Sequence, residues 1–239
     1  MHTCSERGIP QRTRSNTDTH LRNVAYDTAM LRTFAVVLAI GVLVAAFPAT
    51  AHAGLAPGSK GKAVLALQKK LIRLKYLAIA GRSGVYGPRT TQAVMAFQGW
   101  RGLTRDGVAG PATFRALAKA SIPRPWSRTV RHMEVHKAKQ VLLLIAKGVV
   151  VRAIHVSTAS PGHVTPSGHF TIYRKEAMSW SKPFHVWLPL ASYFTGGYAF
   201  HQYPDVPGYP ASHGCVRIAQ GDASVVWSWA TLGTRVAVG

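Results

Sequence analysis

The chain has 239 residues, 47% of them hydrophobic, and its 29 Lys and Arg outnumber 8 Asp and Glu to give a formal net charge of +21. This length allows one large domain or two small ones, and the apolar content excludes wholesale disorder. The basic residues are scattered, with no run of five and no recognisable nucleic-acid module. The charge therefore favours adsorption to an anionic polymer, and we expect no nucleic-acid partner.

The N-terminal segment predicts export. Residues 34–49 carry no charge, Arg32 precedes them, and a small-x-small site at 51–53 follows. A charged start, an apolar centre and such an end are typical of a secretory signal peptide. A transmembrane anchor is the alternative, but the run is shorter than the roughly 18–20 apolar residues that span a bilayer. We expect a protein of the periplasm, cell wall or medium, without an integral membrane domain after cleavage.

Three further expectations follow from this segment. Met30 begins a signal peptide of ordinary length, so either Met30 is the true start or residues 1–29 are dispensable. Residues 1–53 contain five arginines and three acids, so the remainder keeps 24 bases and five acids, a charge of +19. They also contain Cys4, which leaves Cys215 without a disulfide partner. A lone thiol in an exported protein is either a small buried apolar group or a nucleophile.

Residues 55–120 predict a small domain of three short helices. Apolar residues recur every three or four positions between Val64 and Leu74, which gives one helical face. Two later stretches, 83–90 and 106–113, resemble each other. In each, a glycine turn leads to a proline at a first helical position, where its missing N–H costs nothing.

This segment resembles the peptidoglycan-binding-domain-1 family. That pattern has an LQ helix, D-G-x-x-G-x-x-T, AVxxFQ and a second D-G-x-x-G-P-x-T. The chain has Leu67-Gln68, then 84–90, 93–98 and 106–113, with Ser83 in place of the usual first Asp. The resemblance implies a wall-targeting module whose partners are peptidoglycan glycan and stem peptides. A packing module that has lost ligand binding is the alternative, because a fold does not prove a function.

The remainder predicts a proline-containing linker at 121–128 and a mostly β domain at 129–239. Residues 140–146 and 149–158 are rich in Val, Leu and Ile, and Lys147-Gly148 separates them as in a β-hairpin. A helical pattern appears at 222–230, and 234–238 predicts a final strand. We expect a multidomain α and β protein whose second domain is a sandwich or an irregular barrel.

The chemistry concentrates around Cys215. A cysteine attacks as a thiolate and needs a nearby base, and two histidines are close in sequence, His201 and His213. On an extended segment His213 and Cys215 point to the same side. The N–H groups around Gly214 could face a developing oxyanion, and Arg217 could hold a carboxylate. A metal site and a purely structural role are the alternatives, although one Cys-His pair without further spaced ligands is a weak zinc pattern.

The run Ser-His-Gly-Cys-Val-Arg at 212–217, with a histidine upstream, resembles the L,D-transpeptidase (YkuD-type) signature H…[S/T]-H-G-C-hydrophobic-[N/R]. Residues 165–172 and 233–236 resemble other strands of that family, so the likeness covers about 129–239. It implies a β catalytic domain without metal or organic cofactor. The implied catalytic residues are Cys215, His201, His213, Gly214 and Ser212. The implied substrate-binding residues are Arg217, Tyr198 and Gln202.

The family pattern also implies roles and a reaction. Cys215 is the nucleophile, His201 the general base held by the Gln202 carbonyl, and His213 shapes the pocket. The implied reaction releases D-Ala from a peptidoglycan tetrapeptide stem and transfers the acyl group to the side-chain amine of a neighbouring stem, forming 3-3 crosslinks. A carboxypeptidase, an enzyme that attaches a protein to the wall, and a non-catalytic wall-binding protein are the alternatives. We expect a monomer.

Overall fold

The computed structural model describes residues 54–239, so the predicted signal segment lies outside the described residues. Its first part is helical, as predicted. The elements are α1 (Lys62–Arg73), a 3-10 turn (Ile79–Gly81), α2 (Pro88–Arg101) and α3 (Pro111–Ala118). Proline occupies the first turn of α2 and α3, and Gly102 ends α2 at φ 69°, a left-handed conformation that suits glycine. No helix within 54–239 has the length and hydropathy needed to cross a bilayer.

Two buried glutamines explain the repeat in the helical part. Gln68 of α1 accepts hydrogen bonds from the Ser83 and Gly84 amides at 3.0 and 2.8 Å, and it donates to Thr90 at 3.0 Å. Gln98 of α2 binds the second turn in the same way, through the Gly107 amide at 2.9 Å. Each glutamine satisfies the backbone of a glycine turn that would otherwise have unpaired polar groups. The paired Gln and glycine-turn motifs therefore have a structural role in the helical module.

Nine strands form one sheet in the second part, in the order β4-β9-β1-β2-β3-β8-β7-β6-β5. Their bounds are β1 (Arg131–His136), β2 (Val141–Ala146), β3 (Val149–Ser157), β4 (Gly168–Thr171), β5 (Arg174–Ser181), β6 (Val186–Thr195), β7 (Tyr198–Gln202), β8 (Val216–Ile218) and β9 (Arg235–Val238), with α4 (Gln220–Trp229) before β9. Only the β1–β9 and β7–β8 pairs are parallel in this sheet of the described chain. The rings of Phe170 on β4 and Phe194 on β6 lie 5.6 Å apart, so the sheet curls until its ends approach. This is an irregular, incompletely closed barrel.

The sheet is covered on both faces at β2. Val141, Leu143 and Ile145 pack into the core of the helical module, whereas Leu142 and Leu144 face the core inside the sheet. Side chains alternate along a strand, so a strand buried on both faces is apolar throughout. The burial of β2 on both faces explains why its sequence is a continuous apolar run. The module and the sheet share one of the two large cores.

Candidate active site

Strands β7 and β8 set the geometry of the site. They are parallel, and His201 is the register partner of Arg217. Residues opposite each other in a ladder have side chains on the same face, and Cys215 lies two residues before Arg217. All three side chains line one cavity of about 710 Å³. The structure therefore brings together three of the residues that the sequence indicated.

His201 is buried and fixed by its neighbour. Its Nδ1 lies 2.9 Å from the Gln202 carbonyl oxygen. A carbonyl only accepts, so Nδ1 carries the proton and Nε2 is left as an acceptor. The pKa of His201 is lowered to about 4, because the effect of burial, together with that of the Arg217 charge, outweighs the hydrogen bond to Gln202, which raises the pKa. The imidazole is therefore neutral near pH 7.

The Cys215 thiol is affected in the opposite direction. Burial raises its pKa, and a hydrogen bond with the Ala199 backbone and the positive charge of Arg217 partly offset this. Its Sγ lies 3.7 Å from the Gly197 carbonyl oxygen. Burial disfavours both charged forms, because it removes solvation from the thiolate and from the imidazolium. The resting pair is a thiol and a neutral imidazole.

The turn before Cys215 is held by hydrogen bonds on every side. Ser212 Oγ donates to the Cys215 carbonyl at 2.6 Å and accepts from the Gly214 amide at 3.0 Å. Thr165 Oγ1 donates to the Gly214 carbonyl at 2.7 Å. Gly214 has φ 138°, and a methyl group there would overlap the Tyr198 ring, so only glycine fits. The Ser212 hydroxyl thus shapes the turn.

His213 is exposed at the mouth of the cavity. Its ring lies 4.5 Å from that of His163 and 4.6 Å from that of Phe184, which belongs to the turn between β5 and β6. His213 lines the same cavity as Cys215. The His213 ring contacts other rings, those of His163 and Phe184. Within residues 54–239 no hydrogen bond fixes the tautomer of His213, whereas the Gln202 carbonyl fixes that of His201.

The predicted substrate-binding residues divide between two places. Arg217 stacks on the Tyr203 ring at 4.0 Å, and Arg217 and Tyr198 line the cavity. Gln202 lines instead a neighbouring cleft of about 950 Å³ between the helical module and α4. Only its backbone carbonyl serves the site, because residues 201 and 202 point to opposite faces of β7.

Sequence reasoning missed the far wall of the cavity. Arg174, Lys182 and Phe184 line it from the β5–β6 hairpin. The only sequence signal for this wall was the aromatic residues around 180–198, because the hairpin lacks a clear turn motif. The cavity lining contains three cationic side chains and no Asp or Glu among the described residues. Within 54–239 no group of three or more His, Cys, Asp and Glu side chains is arranged to hold a metal ion.

Known proteins resemble both parts of the chain. Residues 130–238 match the L,D-transpeptidase catalytic domain family, and residues 60–117 match a peptidoglycan binding domain. A crystal structure of the L,D-transpeptidase from Xylanimonas cellulosilytica is 40% identical, with 77% of this chain and 96% of that chain covered and a TM-score of 0.70. An L,D-transpeptidase structure from Stackebrandtia nassauensis is 26% identical over 77% of this chain and 94% of that one, with a TM-score of 0.50.

Among curated proteins, an N-acetylmuramoyl-L-alanine amidase from Bacillus licheniformis is 36% identical over 121 residues, which is 44% of this chain and 31% of that protein. The chain spans about a third or less of the length of the curated relatives it matches. The 40% identity to a structure that the chain covers almost completely carries more weight. With both domain matches in the predicted order, the chain belongs to the L,D-transpeptidase family of the YkuD type and has a peptidoglycan-binding domain before its catalytic domain.

Proposed function

We propose that the protein is an exported peptidoglycan L,D-transpeptidase that uses Cys215 as its nucleophile. The observation that carries this proposal is the shared cavity of Cys215, His201 and Arg217, with the His201 tautomer fixed by a carbonyl 2.9 Å away. A nucleophile, a base and a group that orients the base are what acyl transfer through a thioester requires. We propose the 55–120 module as the wall-targeting part, and the N-terminal segment as its export signal.

In the first step, the Cys215 thiol gives its proton to His201 Nε2 as the sulfur attacks the carbonyl carbon between the third stem residue and D-Ala. The tetrahedral intermediate collapses when the C–N bond breaks, and the D-Ala amine leaves with the proton from His201. A thioester and free D-Ala result. A neutral imidazole suits this role, since only the unprotonated Nε2 accepts a proton.

The oxyanion of that intermediate needs N–H donors. The Gly214 amide already donates to Ser212 Oγ at 3.0 Å, which makes it a poor donor to substrate. We therefore assign the oxyanion contact to the Cys215 amide alone, whereas the sequence indicates the N–H groups around Gly214 in general. The Ser212 bond to the Cys215 carbonyl, at 2.6 Å, supports this by fixing the orientation of the adjacent backbone.

The charges of the cavity support a substrate that carries carboxylates. Lys182 and Arg217 line it with no acidic side chain in the lining, and Arg174, the third cation, pairs with Glu176 outside the lining at 3.3 Å. Stem peptides carry free carboxylates beside the bond to be cleaved, and guanidinium groups bind carboxylates with two hydrogen bonds. We propose Arg217 as the residue that orients the donor stem. Of the three cationic residues it is the one on β8, two residues after Cys215.

In the second step, the side-chain amine of a neighbouring stem attacks the thioester. The amine gives its proton to His201, the C–S bond breaks, and the sulfur recovers that proton, so the enzyme is restored. Water in place of the amine would make the protein an L,D-carboxypeptidase. A protein amine in the same place would attach that protein to the wall.

The test is mass spectrometry of the purified protein incubated with a disaccharide-tetrapeptide. A crosslinked dimer that lacks one D-Ala is expected, and Cys215→Ala must form none. A monomeric tripeptide product alone would assign carboxypeptidase activity instead. If the protein released no D-Ala and bound peptidoglycan all the same, the non-catalytic alternative would replace the enzyme.

A further inference from the structure

The loop of residues 203–211 links the two reacting side chains. It follows the strand that carries His201 and precedes the turn that carries Cys215. Three prolines in the loop lack a backbone N–H, so the loop cannot be held by a regular ladder of hydrogen bonds. The β7–β8 pairing fixes the backbone of His201 opposite Arg217. The groups that bind the loop carbonyls hold the segment between Gln202, whose carbonyl orients His201, and the turn that carries Cys215.

Strand β3 holds the loop from one side. His155 Nε2 donates to the Pro207 carbonyl, and Ser157 Oγ donates to the Tyr209 carbonyl, each at 2.8 Å. Ser157 Oγ also accepts from the Ala211 amide at 2.9 Å. Both donors are buried and lie on the catalytic domain itself. These contacts bind the carbonyls of Pro207 and Tyr209.

The helical module binds the two other carbonyls of the 206–209 stretch, those of Val206 and Gly208. Gln92 Nε2 of α2 donates to the Val206 carbonyl at 3.3 Å, and Arg105 Nε donates to the Gly208 carbonyl. Four successive carbonyls, from residue 206 to residue 209, are thus bound alternately by the module and by β3. The loop is fixed between two surfaces, and neither surface alone satisfies it.

Gly208 shows how closely the module approaches. A methyl group on this residue would overlap the Arg105 carbonyl oxygen. The Gly208 backbone is outside the left-handed region, so the glycine is needed for the close contact and not for its conformation. The contact is specific to the module, because the overlapping atoms all belong to Arg105.

We propose that the peptidoglycan-binding module is also part of the catalytic apparatus, with Arg105 and Gln92 as positioning residues that hold the 203–211 loop and thereby align His201 with Cys215. This inference rests on the proposed function of Cys215 as nucleophile. Small displacements of reacting groups are costly, since about 1 Å lowers a rate by as much as roughly 10²-fold. The module thus acts on the rate of acylation without touching the substrate.

The experiment measures acylation of the full chain by a carbapenem, in which Cys215 Sγ attacks the lactam carbonyl, the C–N bond opens and the nitrogen takes a proton. Mass spectrometry over time and concentration separates the rate of acylation from the affinity of the preceding complex. We expect Arg105→Ala to lower the acylation rate about tenfold with affinity changed less than about twofold, as misalignment predicts. Arg105→Lys, which keeps a donor, should recover much of the rate. Arg115→Ala removes an exposed arginine of the same module and is the matched control.

Gly208→Ala tests the same contact from the loop, and Gln92→Met tests it if Arg105→Ala does not fold. Both should lower the acylation rate. Gln92→Met should do so in protein whose thermal unfolding midpoint matches that of Arg115→Ala, whereas Gly208→Ala should also lower the midpoint, because its methyl group would overlap the Arg105 carbonyl oxygen. An unchanged rate in folded Arg105→Ala or Gln92→Met, or an equal loss in Arg115→Ala, would overturn the inference and leave Cys215 as nucleophile. Absence of acylation in the wild-type protein would instead remove the proposed function.

Discussion

Burial acts on the two reacting side chains in opposite directions, and this sets their protonation. It raises the pKa of the Cys215 thiol and lowers that of His201 to about 4. A group with a depressed pKa is protonated only below that value, so His201 remains a base as the pH falls until about 4. In the proposed mechanism the thiolate therefore forms during attack rather than before it. Acylation should therefore persist in mild acid, where an ordinary histidine with a pKa of about 6.5 would already be protonated.

The roles of His201 and His213 can be distinguished by substitution. His201→Ala should abolish acylation of Cys215 by a carbapenem near neutral pH, with partial recovery at high pH where the thiolate forms unaided. His213→Ala should acylate more slowly but without that recovery, because His213 contacts the cavity mouth through aromatic rings. The measurement is the acylation rate by mass spectrometry from about pH 4 to pH 10, around the reference pKa values.

Cys215→Ala is the control and must not be acylated. Recovery at high pH in His213→Ala, combined with none in His201→Ala, would reverse the two roles and leave the nucleophile in place. An acidic limb of the wild-type profile near pH 6.5 would contradict the burial of His201, since it would report an imidazole with the ordinary pKa.

At the scale of elements, a buried carboxylate joins the linker to β1. Glu134 is fully buried and accepts from the amides of Trp126 and Ser127 at 2.9 and 3.0 Å. It is also bound by the Nε2 atoms of His132 and His136, at 2.9 and 3.2 Å. Burial alone would raise the pKa of Glu134, but the bonds from His136, Trp126, His132 and Ser127 outweigh it and hold the pKa at about 2. The 121–128 segment is thus tied to the sheet.

Glu134→Gln should destabilise the protein at pH 7, because each carboxylate oxygen takes two of the four donors, so two donors would face an amide NH₂ group. Loss of a buried charged acceptor costs about 2–4 kcal/mol. The folded pKa is depressed, so this contribution is present above the unfolded value of about 4.3 and is lost as the pH falls toward about 2. Urea unfolding at several pH values measures this contribution. The difference in free energy of unfolding between the wild-type protein and Glu134→Gln should shrink in acid.

Glu176→Gln is the matched control for the loss of one carboxylate. Glu176 pairs with Arg174 at 3.3 Å on a partly exposed surface, and such pairs contribute little. A similar loss of stability in both variants would mean that general charge explains the effect. A difference that grows in acid would be the wrong sign for a carboxylate with a depressed pKa.

The sequence predicted elements best where the pattern was local. The helix face from Val64 to Leu74, the hairpin at 140–158 and the S-H-G-C-V-R run each depend on close neighbours in the chain. The β5–β6 hairpin was missed, because residues 174–181 alternate weakly and no Gly-Asn or Gly-Asp turn follows them. The wall of the cavity that carries Arg174 and Lys182 was missed with it.

At the scale of the whole molecule, contacts distant in sequence were beyond local patterns. The sequence indicates two domains and a linker, whereas Leu143 and Ile145 of the sheet share a core with Leu71 and Phe97 of the module. Apolar runs show that a strand is buried but not which element covers it. The alternate binding of loop carbonyls by Gln92 and Arg105 was equally invisible, since it joins residues about a hundred positions apart.

The shared core also decides how wall binding is to be tested. Removing the module would expose Val141, Leu143 and Ile145, so point substitutions are the better probe. A largely apolar groove of about 510 Å³ lies between α1 and α3. Glu134 is buried without a buried Lys or Arg beside it, whereas the buried Asp222 pairs with the buried Arg152. The surface of this part of the chain is therefore slightly more basic than its charge of +19 indicates.

We expect binding to insoluble peptidoglycan to have an electrostatic part and a part due to the module. Coulombic attraction is screened beyond about 8 Å at physiological ionic strength and about 3 Å at 1 M salt, whereas recognition by contact is not. Co-sedimentation should therefore weaken as salt rises and level off above zero. We propose the groove between α1 and α3 as the surface that contacts peptidoglycan, so Ala66→Trp, which adds an exposed ring there, should remove most of the salt-resistant binding.

Ala112→Trp is the matched control, because it adds the same ring to an exposed position of α3 that does not line the groove. It should leave the salt-resistant part unchanged, and both variants should keep the salt-sensitive part because neither changes the charge. If high salt abolished all sedimentation of the wild-type protein, the net charge would explain binding entirely. The helical module would then serve the catalytic domain through the core it shares with β2 and through its hold on the 203–211 loop, and not as a wall-binding surface.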